Sequence, residues 1–98
     1  MAIKVLIKRK IADGKLNEAS KLLYKARYNA MGQPGYISSE TLSGIDNPNI
    51  VVVVSMWQKI ENWDLWKNSN VRAETEVVLE ALLDGQTEYE AYNLGMNL

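Results

Sequence analysis

The apolar residues of this chain change their spacing several times, and each change marks an element. Ile3, Val5 and Ile7 alternate with Lys4, Leu6 and Lys8, a period of two that predicts a strand ending near Lys10. Ile11-Ala12-Asp13-Gly14 reads as a turn with Asp13 as a helix cap. From Leu16 to Met31 the period lengthens, and Leu16, Ala19, Leu23, Ala26 and Ala30 form one helical stripe. Gly32 suits the left-handed residue that commonly follows a helix. Gln33-Pro34-Gly35-Tyr36 has the composition of a type II turn. Tyr36 to Leu42 reads as a second, more polar strand, and residues 43–49 as a loop.

Val51-Val52-Val53-Val54-Ser55-Met56-Trp57 follows, seven residues without a charge. Its β-branched side chains favour extended backbone. Because polar residues do not alternate along it, both faces of this strand are expected to be covered. Helices cover one face, and a second subunit is the simplest cover for the other. Ile60, Trp63 and Trp66 return to helical spacing. Asn68-Ser69-Asn70 interrupts that helix and offers a fresh N-cap. A further helix carries Val71, Thr75, Val78 and Leu82 on one face, and Asp84-Gly85 ends it. Residues 87–94 form the last strand.

The order strand, helix, strand, strand, split helix, strand is the βαββαβ plan of a ferredoxin-like α+β sandwich. Right-handed crossovers then give an antiparallel four-stranded sheet with the first and third strands central. The last strand lies beside the first. Glu88 and Glu90 either face Lys4 and Lys8 across that pair or remain a solvated pattern.

Composition narrows the chemistry. The 98 residues suit a single domain spanning residues 1–98 with one modest core. Eleven basic and twelve acidic residues give a net charge of −1, so no broad attraction to nucleic acid or to an anionic membrane is expected. There is no cysteine and no histidine. That removes thiol chemistry, the commonest general base and the commonest metal and haem ligand. No metal-ligand spacing and no phosphate-binding glycine loop are found. No apolar run is long enough to span a bilayer, and Met1-Ala2-Ile3-Lys4 reaches a charge too soon for a signal peptide. A cytoplasmic protein is the expectation.

Two stretches carry a resemblance. Gln33-Pro34-Gly35-Tyr36 precedes the second strand, and Ser55-Met56-Trp57 leads into Glu61-Asn62-Trp63-Asp64-Leu65-Trp66-Lys67-Asn68-Ser69. With the Thr87-Glu88-Tyr89-Glu90 start of the last strand, they make the chain resemble the antibiotic biosynthesis monooxygenase domain family. The resemblance implies a homodimer, a dimeric α+β barrel of two sheets packed face to face, and a pocket between sheet and helices in each subunit. It implies a cofactor-independent monooxygenase acting on a small aromatic molecule. The alternative is a non-catalytic dimeric small-molecule-binding protein, and a third reading is a dimerisation module with a filled core.

Against the family's quinone-forming members, Trp57 matches a tryptophan at the end of the third strand. Val53 stands where they carry an asparagine, Trp63 where they carry a tyrosine, and Arg72 lies near an arginine. Against the haem-degrading members, Trp66 matches the tryptophan and Ile7 stands near the asparagine. The histidine those members use is missing, which excludes that form of haem ligation. The resemblance therefore implies a substrate-binding wall of Trp57, Trp63, Trp66, Val53 and Ile7, no cofactor, and no catalytic base that can be named. The residues themselves leave two readings open, a wall around a planar ligand or plain core.

Tyr24 and Tyr28 lie off the first helix's stripe, and Arg27 nearer its edge. They are candidate ligand contacts, or else helix-edge, subunit-contact and solvated residues. Glu76 and Glu80 share a helix face pointing away from the stripe, which reads as solvated, although a raised pKa would fit them for acid–base work.

Overall fold

The computed structural model describes residues 1–96. Its elements run β1 (Ile3–Lys10), α1 (Leu16–Met31), β2 (Tyr36–Ser43), β3 (Ile50–Trp57), α2 (Ile60–Lys67), α3 (Asn70–Glu80) and β4 (Glu88–Asn93). The strands form one antiparallel sheet in the order β2-β3-β1-β4, with the first and third strands central.

The expected fold class needs one correction. The barrel implied by the resemblance is absent from this fold. The sheet has four strands, and β2 and β4 are its two open edges rather than partners of each other. An α+β sheet with three helices against it is what the sequence folds into. Among the described residues no helix is long and apolar enough to cross a membrane.

Alternation along β1 decides the sheet's two faces. Ile3, Val5, Ile7 and Arg9 are buried toward the helices, while Lys4, Leu6 and Lys8 point the other way and are half-buried. On β3 the inward set is Val51, Val53, Ser55 and Trp57. Val52, Val54 and Met56 share the outer face with Leu6, since Leu6 pairs with Val54. Burying one such aliphatic or aromatic side chain contributes roughly 1.5–3 kcal/mol.

The core has two halves. One holds Ile3, Val5, Ile7, Trp57, Trp63 and Trp66. The other holds Ile11, Ala19, Val51, Leu79 and Leu82.

Several local details depart from the sequence reading. Gly32 lies in the right-handed helical region at φ −86°, so α1 ends without a left-handed residue. The positive φ falls instead at Gly35, +81°, inside the turn that returns the chain to β2. Tyr36 N donates to Gln33 O at 3.2 Å across that turn. Asp13 does not cap α1; Lys15 occupies that position without a side-chain bond. Ser69 does cap α3, its Oγ accepting from Arg72 N at 3.2 Å, a bond of the kind that contributes about 1 kcal/mol.

The largest departure concerns the buried face of α3. Val71 and Val78 are exposed, and the buried residues are Arg72, Thr75, Glu76, Leu79 and, just beyond the helix, Leu82. The helix is rotated from the expected stripe because it turns an ionic face inward. Across β1 and β4, the Lys8 ammonium reaches Glu90 at 2.6 Å, a diagonal contact, since Lys8 is registered opposite Glu88. Lys4 is registered opposite Tyr92 instead.

Candidate functional site

Strand register sets the floor of the space between sheet and helices. Thr41, Val53, Ile7 and Tyr89 form one row across all four strands, and Ser39, Ser55, Val5 and Ala91 form the next. Tyr36, Trp57 and Ile3 follow. The floor is thus apolar along β1 and hydroxyl-bearing along β2. The polarity of β2 places Ser39, half-buried, and Thr41, exposed, on the helix-facing side of the sheet.

Two spaces open over this floor. The inner one is a chamber of about 50 Å³ beneath α1 and α3. Ile7, Val53, Trp57, Trp63 and Trp66 all border it, so the five residues singled out from the sequence do converge. It is too small for an aromatic ring. The second is an open groove of about 560 Å³ along α1, bordered by Leu16, Tyr24, Val51 and Pro48 among others. That volume is in the range of small-molecule sites. Leu23, Arg27 and Thr41 border both, so the two spaces adjoin.

The aromatic wall is tightly built. Trp57 is fully buried, and Trp63 and Trp66 are nearly so. Trp57 meets Tyr36 edge-on, with centroids 5.6 Å apart at 88°, and Trp63 at 6.0 Å. Trp63 in turn lies 6.1 Å from Tyr89. Trp57 Nε1 donates to Ser55 Oγ at 3.0 Å, so the buried indole N–H is satisfied and its ring is fixed. Tyr36 Oη and Ser39 Oγ share a hydrogen bond at 2.6 Å. Packed this way, the tryptophans act mainly as core, and only their edges face open space.

Against that wall stands a buried ionic cluster. Arg9 Nη2 donates to Glu76 Oε1 at 2.6 Å, and Arg72 Nη2 lies 3.2 Å from the same oxygen. Arg72 Nη2 also donates to Tyr89 Oη at 2.9 Å, and its guanidinium sits 5.4 Å from the ring centroids of both Trp63 and Tyr89. Arg9, Arg72 and Glu76 expose only 4, 7 and 8% of their surface. Burial pushes Arg9 below the usual arginine range, and the Glu76 carboxylate pulls it back up. Glu76 therefore corrects the sequence reading that put it on a solvated face. Its signal was on β1, where the period of two places Arg9 in phase with Ile3, Val5 and Ile7. A charge in an apolar phase needs a buried partner.

The remaining candidates separate. Tyr24 and Tyr28 are 73 and 80% exposed; Tyr24 borders the groove. Arg27 is exposed where groove and chamber meet. Val53 is half-buried on the chamber floor. Among the described residues no group of three or more histidine, cysteine, aspartate or glutamate side chains is placed to hold a metal ion.

The family model described as "Antibiotic biosynthesis monooxygenase" matches residues 2–81. Among solved structures, a conserved protein from Methanosarcina mazei Go1 is 24% identical, with a TM-score of 0.89, covering 94% of this chain and 91% of that one. SnoaB, a cofactor-independent oxygenase from Streptomyces nogalater, is 15% identical with a TM-score of 0.87, covering 99 and 96%. A structure titled "Crystal structure of antibiotic biosynthesis monooxygenase" is 11% identical with a TM-score of 0.88, covering 96 and 99%. At these identities the likeness shows a shared fold. A search of curated proteins finds no match.

Proposed function

The chain belongs to the antibiotic biosynthesis monooxygenase family, and from that premise we propose that it is a cofactor-independent oxygenase of a small, electron-rich aromatic substrate. The observation that carries this reading is the wide groove opening onto a tryptophan-walled chamber through Leu23, Arg27 and Thr41. The ring lies in the groove, and its oxygen-bearing edge reaches the chamber. The fold likeness to SnoaB, a cofactor-independent oxygenase, supports the same reaction class.

The reaction needs no protein-bound redox group. The ionised substrate gives one electron to dioxygen. The resulting radical pair recombines, forming a carbon–oxygen bond. The carbon-bound peroxide takes up a proton. The remaining C–H bond at that carbon then breaks, its electrons forming the carbonyl. The O–O bond breaks to release hydroxide, which leaves with the departing proton as water. One oxygen atom remains as a quinone carbonyl, and the substrate carbon supplies the electrons. The protein's part is to hold the ring, exclude water and favour the anion. Ile7, Val53, Trp57, Trp63 and Trp66 form the dry end of the site in this proposal.

Oxygen uptake with a panel of hydroxylated naphthalenes and anthrone tests the reading. Uptake well above the buffer rate is expected, with one labelled atom from ¹⁸O₂ in the product. If no member of the panel raises uptake, the oxygenase reading falls. The second reading, a binding protein without turnover, draws on one feature. Every ionisable group at the inner chamber except Arg27 and Tyr36 is tied to another by an ion pair or hydrogen bond with Arg72 or Glu76. Tryptophan quenching by the panel without uptake would favour it.

The proposal includes a homodimer. Leu6, Val52, Val54 and Met56 form a half-buried apolar patch on the sheet face away from the helices. A two-fold contact would place this patch against its own copy.

A further inference from the structure

Beyond the reaction proposed above, though drawing its oxidant from it, we infer that Trp63, Trp57 and Tyr36 form a redox relay. It carries an oxidising equivalent out of the inner chamber and leaves it on Tyr36 as a phenoxyl radical.

The first observation is continuity. Tyr36, Trp57, Trp63 and Tyr89 are successive neighbours, with ring centroids 5.6, 6.0 and 6.1 Å apart. Rings this close pass an electron in short hops, and indole and phenol lose one more readily than the aliphatic groups around them. The row runs from one open edge strand of the sheet to the other, β4 to β2. Tyr36, Trp57 and Trp63 border the chamber, where the radicals of the proposed chemistry form.

The second observation is charge, which gives the row a direction. Arg72 sits 5.4 Å from the ring centroids of Trp63 and Tyr89, and Lys67 lies 4.4 Å from that of Tyr89. Arg9 adds a further buried cation, and both arginines share the single carboxylate of Glu76. A ring beside this net positive charge resists becoming positive itself. Among the described residues no cation lies over Trp57 or Tyr36. Arg27 on α1 borders the chamber but is exposed, and solvent screens it. The missing electron therefore moves from Trp63 to Trp57 to Tyr36, away from Tyr89.

The third observation is where a proton can leave. Trp57 Nε1–H donates to Ser55 Oγ at 3.0 Å, and both residues are buried. A hydroxyl is too weak a base to keep that proton, so Trp57 holds the charge only in passing. Tyr36 Oη and Ser39 Oγ share a hydrogen bond of 2.6 Å, both half-buried on the edge strand β2. On losing an electron the phenol releases its hydroxyl proton through Ser39 to water, and the neutral radical stays at Tyr36.

The step balances. A substrate radical that escapes recombination adds dioxygen and becomes a peroxyl radical. It takes one electron from Trp63 or Trp57 and one proton, and becomes a hydroperoxide. Tyr36 gives up one electron and one proton. A hydrogen atom from a soluble thiol then restores the phenol.

Flash photoionisation of the tryptophans tests the relay without substrate, with a cobalt(III) ammine in solution to take up the ejected electron. All three tryptophans of the chain lie in this buried cluster, so light absorbed by indole and not by phenol starts the oxidation there. The tryptophanyl spectrum should decay as the phenoxyl spectrum grows. Tyr36→Phe keeps the ring and should abolish that growth, whereas Tyr89→Phe should leave it unchanged. No phenoxyl in the wild type, growth that survives in Tyr36→Phe, or loss in Tyr89→Phe alone overturns the inference. Should Tyr36→Phe misfold, a nitroso spin trap on the wild type decides. An adduct located at Tyr36 by mass spectrometry supports the relay, and adducts confined to other residues overturn it. A phenoxyl at Tyr36 without oxygen uptake keeps the relay while the oxygenase reading falls. Uptake without a photochemical phenoxyl overturns the relay and leaves the oxygenase reading standing.

Discussion

Arg9 on the first strand and Glu76 on the third helix meet at 2.6 Å with both side chains almost fully buried. This contact joins sheet to helix through buried charges, and it sets unequal costs for its members. Glu76→Gln leaves two buried guanidiniums without a counter-charge. A loss of roughly 3–5 kcal/mol is expected. Arg9→Met should cost less, because Glu76 keeps Arg72 at 3.2 Å. Urea unfolding of the two single variants checks the order, and equal losses would contradict it.

The tryptophans are expected to behave as core when truncated. Trp63 and Trp66 expose 4 and 5% of their surface, and the chamber beside them offers only about 50 Å³. Trp63→Ala should cost roughly 3–5 kcal/mol. The reading of Trp66 as a removable pocket wall predicts instead that Trp66→Ala stays folded and dimeric with altered affinity for planar ligands. Thermal unfolding of both variants decides. A loss below about 1 kcal/mol at Trp66 would restore the wall.

Much of the fold was legible because its periods are clean. The alternation of Ile3, Val5 and Ile7, the valine strand and the Ser69 cap each name their element without help from the rest. The sheet order followed from connection rules. The face of α3 was not legible. Val71, Val78, Glu76 and Arg72 suggest an apolar stripe and a wet one, and only the position of Arg9, 67 residues away, reverses them. The inner chamber was legible through its tryptophans, whereas the groove was not, since it forms where Leu16 and Tyr24 of α1 come beside Pro48 of the loop before β3. The barrel came from resemblance alone, and nothing in these residues closes a four-stranded sheet.

Gly35 is expected to resist replacement for two separate reasons. Its φ of +81° disfavours any side chain, and a Cβ there would overlap the Asn62 side chain. Gly35→Ala should cost about 1–3 kcal/mol from the strained backbone, with the overlap adding to it. Adding Asn62→Gly, read against Asn62→Gly alone, should relieve only the overlap, because alanine would keep the Cβ that lies 2.7 Å away. Full recovery in the double variant would show that the backbone strain is negligible.

The Lys8–Glu90 pair predicts a pH window. Its hydrogen bond to Glu90 raises the Lys8 pKa, so its contribution is lost as pH climbs through that raised value. Glu90 is held low by Lys8 and by Tyr92, so its contribution is lost as pH falls through the depressed value. The stability difference between wild type and Lys8→Met should be largest around neutrality and shrink in acid and in strong alkali. Both groups are solvent-exposed, so added salt should shrink it too. A difference unchanged from acid to alkali would refute the pairing.

The outer sheet face gives the test of assembly. Val54 lies opposite Leu6 at the centre of that face. Val54→Asp would bury an unpaired charge in a two-fold contact there. Sedimentation should find wild type dimeric at micromolar concentration and the variant monomeric. A monomeric wild type, or a variant dimer as tight as wild type, would end the dimer proposal.

The interruption at Ser69 also bears on how such a protein can diversify. Trp63 and Trp66 sit on the short helix before the break, and Arg72 and Glu76 on the helix after it. On one continuous helix, re-aiming either set would turn the other by the same angle. With a capped joint between them, each helix can rotate or change side chains while the other keeps its seat on the sheet. The apolar and the charge-bearing side chains that border the chamber are thereby separable, so substitution can reshape one set without re-aiming the other.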